Sequence, residues 1–158
     1  MNNNADIERL KFLMRVVEKE LDHLKYSQHK VFAQTFTRER AETLAHAPVL
    51  AEQVEAFSSR FCRFQDTFGD KLLPVWLKLL SEPLGAVVDN MDRAEKLGIL
   101  PSADDWLETR QLRNQMVHEY IEDMEILAQA LQTANQKIDL FVDVTDRLFT
   151  DIAKRGWF

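Results

Sequence analysis

Apolar residues recur three and four positions apart along almost the whole chain, the spacing of helices that each bury one face. Asn4 and Asp6 open the first such stretch, and Ile7, Leu10, Met14, Val17, Leu21 and Leu24 follow in heptad register, extended by Val31. A seam of that kind predicts helices packed nearly parallel or antiparallel in a bundle. Thr37 is placed to cap a short connecting helix ending near His46, and Pro48 suits the first turn of the next helix, where its missing N–H does no harm. That second long helix carries Leu50, Val54, Phe57, Phe61, Phe64 and Phe68 on one stripe, a thick core or dimer seam rather than a cofactor box.

Gly69 and Pro74 predict a turn or kink, followed by a short apolar helical segment with Trp76, Leu77, Leu79 and Leu80. Ser81 and Pro83 predict the start of a third helix carrying Leu84, Val87, Val88, Met91, Ala94 and Leu97, with Gly98 as its stop. Ser102-Ala103-Asp104-Asp105 has the spacing of a capping box, Asp105 standing where Glu or Gln is usual. A fourth helix is expected from there through Trp106 to about Ala134. A last one, with Ile138, Phe141, Leu148 and Ile152, should finish at Gly156. No internal repeat, low-complexity tract or linker interrupts the pattern. The expectation is a single all-α domain over residues 1–158, an up-and-down bundle of four or five helices.

Composition narrows the function classes. A chain of 158 residues that is 46% hydrophobic, with only four Gly and four Pro, has material for one ordered core. No apolar run approaches the roughly 18 residues of a membrane span, so no membrane partner is expected. Met1-Asn2-Asn3-Asn4 lacks the basic and apolar regions of a signal peptide, and the single Cys62 rules out an internal disulfide framework. Both fit a cytoplasmic setting, with Cys62 as a small core hydrophobe. A net charge of −6 disfavours broad, non-specific nucleic-acid binding. Any engagement of RNA should therefore be local.

Residues 113 to 120 read Arg-Asn-Gln-Met-Val-His-Glu-Tyr and break the apolar pattern of the fourth helix. At roughly 100° per residue, Val117, Ile121, Met124, Ala128 and Leu131 share one sector. Arg110 and Arg113 project into that sector, Asn114 lies near its border and His118 just outside it. A cation and an amide aimed at a core or an interface cost several kcal/mol unless something there needs them. Asn114 and His118 are four apart, so the amide can orient the imidazole. Together the group offers a proton-transfer residue, a fixed cation and a hydrogen-bonding amide. That is sufficient for metal-free attack of a ribose 2′-hydroxyl on its neighbouring phosphate. The plainer reading is a polar helix face with one buried Arg tied to an Asp or Glu. His23, His29 and His46 read as solvated, and neither a metal site nor a cofactor is expected.

Arg113-Asn114, three residues, then His118-Glu119-Tyr120 resembles the signature of HEPN proteins (higher eukaryotes and prokaryotes nucleotide-binding). More narrowly it resembles the HepT branch, whose motif is Arg, four residues, His, one residue, Tyr. An acidic capped start, a Trp and a Leu-Arg-Asn run late in an all-helical chain accompany it here. The resemblance covers about residues 5 to 155 in architecture and 102 to 124 in recognisable sequence. Extra length relative to compact members falls around 36 to 48 or 69 to 82.

The resemblance implies a homodimeric helical bundle, the ribonuclease toxin of a toxin–antitoxin pair. Its cognate minimal nucleotidyltransferase antitoxin would use ATP to attach AMP to Tyr120 and so silence it. Arg113, Asn114 and His118 would be catalytic, with Arg110 as a further contact to RNA phosphate. The alternative is a non-catalytic helical subunit, binding substrate for a nucleotidyltransferase or acting as an adaptor. Dimerisation has its own physical argument. One chain offers one His here, whereas RNA cleavage uses an acid and a base, and a two-fold axis supplies the second copy.

Overall fold

The structure, a computed structural model, describes residues 3–158, with the backbone alone over 117–121. Among the described residues the regular elements are helical, and none is a strand. They are α1 (Asn3–Val31), α2 (Arg38–Glu42) continued by a 3₁₀ turn (Thr43–His46), α3 (Pro48–Gln65), a π-helical segment (Asp66–Leu72), α4 (Leu73–Leu79), α5 (Val87–Lys96), α6 (Ala103–Glu122) and α7 (Met124–Arg155). The all-α expectation holds.

Local chemistry accounts for several of these boundaries. The Thr37 hydroxyl accepts from the Arg40 N–H at the start of α2, and Pro48 occupies the first turn of α3. Gly156, at φ 65°, ends α7 in the left-handed region that a glycine enters without Cβ strain. The expected seam of α1 is close to the observed one. Leu10, Val17, Leu21, Leu24 and Val31 are buried, while Leu13 takes a core place and Ile7 and Met14 are only partly covered.

The long helices alternate in direction. Phe32 meets Phe57, Arg60 donates to Ser27, Thr67 donates to Glu20 and Lys78 pairs with Asp6, so α1 is antiparallel to the stretch from α3 to α4. Helix α6 is antiparallel to the same stretch, since Arg113 meets Asp66 and Arg110 meets Asp70. It is antiparallel to α7 as well, with Glu108 beside Lys137 and Trp106 against Phe141. Where the helices converge, Phe61 and Phe64 both pack on Phe141, at centroid distances of 4.9 and 4.5 Å. Phe57, Phe61, Phe64 and Phe68 are fully buried, so the aromatic stripe of the second helix is core.

Where Gly69 and Pro74 predict a turn or kink, the chain departs from α-helical geometry in a π-helical segment, and Pro74 stands in the first turn of α4, where its missing N–H is tolerated. Two expectations are corrected. The third helix begins at Val87, not at Ser81 and Pro83. Ser81, at φ 59°, instead closes α4, and the Glu82 N–H donates to the Leu77 carbonyl at 3.0 Å. Leu84 and Val88 are half exposed as a result.

The break between the last two helices falls at Asp123, about eleven residues earlier than expected. The Asp123 carboxylate accepts from the N–H groups of Glu125 and Ile126 at 3.0 and 3.1 Å, capping α7 at a chain reversal. Asp123, which falls inside the fourth helix as expected to about Ala134, is an N-cap.

Candidate functional site

Helix α6 carries the candidate motif, and its start is well specified. The Asp105 N–H donates to Ser102 Oγ at 3.2 Å, and the Ala103 N–H donates to Glu95 Oε1 at 3.0 Å. Two of the N–H groups that any helix leaves unpaired are thereby satisfied. The described side chains that α6 buries are Ala103, Trp106, Thr109, Leu112 and Met116. Trp106 sets the rotation of the helix: its indole lies against Phe68 and Phe141, with centroids 5.2 and 5.5 Å away. Gly69 makes this approach possible, because a Cβ there would come 3.0 Å from Trp106 Nε1. Beneath Trp106, Gln65 donates to Thr109 Oγ1 at 2.6 Å, and the Thr109 hydroxyl donates on to the Trp106 carbonyl.

With that rotation fixed, Arg110 and Arg113 lie at the edge of the buried stripe rather than in its middle. Arg113 Nη1 pairs with Asp66 Oδ1 at 2.5 Å and Arg110 Nη1 with Asp70 Oδ1 at 2.9 Å. Both acids belong to the π segment, four positions apart, and form two parallel rungs with the two arginines. The Arg113 side chain keeps 42% of its surface exposed, so it is neither sealed in nor free of a partner. Asn114 faces solvent. The side chains of His118 and Tyr120, with those of Val117 and Ile121, lie outside the described residues. The sector expected to run from Val117 to Leu131 is divided by the Asp123 reversal, which puts Ala128 and Leu131 on α7.

Two titratable groups surround these rungs. Burial pushes the Glu20 carboxyl above its ordinary value, against the lowering effect of a 3.0 Å hydrogen bond from Thr67 and of the Lys71 and Arg63 charges. Burial likewise pushes the Cys62 thiol up, opposed by the nearby Arg113 charge. Cys62 is therefore a protonated core residue beside the site rather than a thiolate nucleophile. His23, His29 and His46 are exposed, and among the described residues no three His, Cys, Asp or Glu converge as a metal site requires.

Asp66 and Asp70 are the site residues that sequence reasoning missed. Their four-residue spacing beside the aromatic stripe, opposite two arginines three apart, was the available signal. Without the rotation of α6 it could not be paired with any particular helix. Comparison with protein-family models, with curated proteins and with solved structures gives no match.

Proposed function

We propose that this chain is a metal-independent endoribonuclease acting as a homodimeric up-and-down helical bundle, the toxin of a toxin–antitoxin pair. The observation that carries the reading is the unbroken helix Ala103–Glu122. It keeps Arg113, Asn114, His118 and Tyr120 at true helical spacing, with Arg113 half exposed and Asn114 in solvent. The antiparallel registers of the long helices support the bundle.

In the proposed reaction the ribose 2′-oxygen bonds to the adjacent phosphorus and the bond from phosphorus to the 5′-oxygen breaks. His118 takes the 2′-hydroxyl proton, and His118 of the partner subunit protonates the leaving oxygen. Arg113 stabilises the charge of the phosphorane; its five N–H donors allow it to hold Asp66 and still meet phosphate. Asn114 positions the phosphate or holds the His118 tautomer, and Arg110 supplies a further phosphate contact. The products carry a 2′,3′-cyclic phosphate and a 5′-hydroxyl, and cleavage persists in EDTA.

Silencing acts at Tyr120. Its phenolic oxygen attacks the α-phosphorus of ATP on the cognate nucleotidyltransferase, releasing pyrophosphate and the phenolic proton. Seven residues of helix separate Tyr120 from Arg113, roughly 10 Å. A tethered adenylate can thus compete for Arg113 through charge-assisted hydrogen bonds. The test is expression of this chain alone and with that nucleotidyltransferase, following growth, RNA integrity and protein mass. Undiminished RNase activity in purified His118→Ala protein would falsify the catalytic assignment. An unmodified mass in coexpressed but neutralised protein would remove the Tyr120 mechanism.

One observation favours the non-catalytic alternative: Asp66 and Asp70 already satisfy Arg113 and Arg110 within a single chain. Under that reading the purified protein binds its partner and leaves RNA intact.

A further inference from the structure

We propose that the groove between α6 and the first turns of α7 is a nucleobase subsite, which reads one base of a single RNA strand beside the cleavage centre. The identity of the ligand rests on the ribonuclease reading; the shape and chemistry of the groove do not. It encloses about 330 Å³, at the lower end of the roughly 300–1,000 Å³ of small-ligand clefts, which suits one base and not a duplex. Its floor is apolar, made by Leu112, Ala130 and the partly exposed Ile126, and its walls carry Gln111 and Gln115 from α6 and Gln129 from α7.

Those amides are unlike others that the fold employs. Gln28 donates to Asn135 Oδ1 at 2.8 Å, Gln65 to Thr109 at 2.6 Å and Gln132 to the Phe36 carbonyl at 2.5 Å, each tying two parts of the chain together. Gln111, Gln115 and Gln129 are exposed, and among the described residues no hydrogen bond engages their amide heads. An amide presents a donor and an acceptor side by side, the pattern that pairs with the edge of a base. The apolar floor supplies a surface for the flat face of the ring, as in other recognition of unstacked bases. Among the described residues Glu108 is the one charged side chain in the lining, and Lys137 lies 3.4 Å from it. Among the described residues no cation there awaits a phosphate, so the described lining favours an uncharged heterocycle.

Position links the groove to the motif. Arg113, Asn114 and Gln115 are consecutive and so point in directions roughly 100° apart. Arg113 meets Asp66, Asn114 faces solvent and Gln115 lines the groove. A strand whose phosphate meets Arg113 and crosses Asn114 delivers a neighbouring base to Gln115. His118 follows Gln115 by three positions, on the next turn of the helix.

The test uses the full chain and short, uncleavable 2′-O-methyl RNAs, one homopolymer for each base and one abasic control, followed by fluorescence anisotropy. We expect one base to bind roughly tenfold or more tightly than the least favoured. Gln115→Leu and Gln129→Leu should each remove that preference, with the helical circular dichroism unchanged, while affinity for the abasic strand stays constant. Equal binding of all four bases overturns the proposal, as does an unaltered preference in both variants. A change in sedimentation coefficient without a change in base preference also overturns it, making the groove a protein interface. Base-selective binding that depends on Gln115 and Gln129, in a protein that cleaves no RNA, sustains the subsite and removes the nuclease reading, so the two can fail separately.

Discussion

The rung between Arg113 and Asp66 decides between the two readings of the motif, because they assign it different energies. Both side chains are substantially exposed, 42% for Arg113 and 38% for Asp66. Ion pairs with such access to water contribute roughly 0.2–1 kcal/mol, since solvent screens the attraction and two long side chains are immobilised. Arg113→Ala also strips an aliphatic stem from the edge of the buried stripe, which adds to the loss. The sum is about 1 kcal/mol. With a urea slope of roughly 2 kcal/mol/M for a domain of this size, the unfolding midpoint moves by about 0.5 M. Removing a charge-stabilising donor from a phosphoryl transition state is a larger effect, roughly 10²–10³ in rate. A double-mutant cycle with Arg113→Ala, Asp66→Ala and the pair, read by urea unfolding and by RNA cleavage, separates the two. Coupling under about 1 kcal/mol together with a hundredfold loss of cleavage in Arg113→Ala is expected. Coupling above about 2 kcal/mol, with no Arg113-dependent cleavage, would make the pair a structural tie and refute the catalytic role.

Other substitutions test the scaffold that holds the site. Phe64→Ala, which empties the stack between Phe68 and Phe141, should cost about 3–5 kcal/mol in urea unfolding. Gly69→Ala should lower stability by forcing Trp106 away from its 3.0 Å approach, and the indole fluorescence should shift with it. Glu20→Gln should stabilise the protein at neutral pH. The raised carboxyl value means that the folded state prefers the protonated form, so the stability Glu20 contributes is present below its ordinary value of 4.5 and is lost as pH rises through the folded value. The advantage of Gln over Glu should therefore shrink as pH falls toward 4.5, and an advantage independent of pH would contradict this assignment. Asp123→Ala should cost about 0.5–2 kcal/mol by removing the cap of α7.

Much of the fold was legible from local patterns. The α1 seam, the Phe stripe of α3, the Thr37 cap, Pro48, Gly98 and Gly156 each rest on a preference that acts within a few residues, and each appears close to where it was expected. The misplaced boundaries needed longer-range information. Asp123 sits in a polar stretch that continues a helix as readily as it caps one, and the packing of α6 back onto α7 resolves it. Pro83 suits a first helical turn, yet the segment before Val87 is held otherwise: Gly85 and Asn90 bond each other twice, at 3.0 and 3.2 Å. At the site, the unusual placement of Arg110 and Arg113 was readable, but their partners were not. Asp66 and Asp70 reach α6 because a π turn follows α3, and no periodicity announces a π turn.

The charge arrangement bears on how such a chain would choose RNA. Its net charge is −6, and the two arginines of the site each face an aspartate. The two motif arginines of one protomer therefore offer an approaching phosphate charge that is already largely offset. Single-strand binding that neutralises Z phosphates falls with salt at a slope of about −0.7Z. For Z set by Arg110 and Arg113 alone, that slope is shallow, and so is the non-specific affinity. A protein so placed cannot collect RNA by charge and then cut whatever it holds. Discrimination has to come from contacts that are not ionic. The uncharged amides of Gln111, Gln115 and Gln129 over an apolar floor are groups of that kind, and the pairing of two protomers would double the cations without altering that logic. The expected signature is a ribonuclease whose sequence preference survives a rise in salt that barely weakens its binding. A steep salt slope would place the energy in phosphate contacts on some other face.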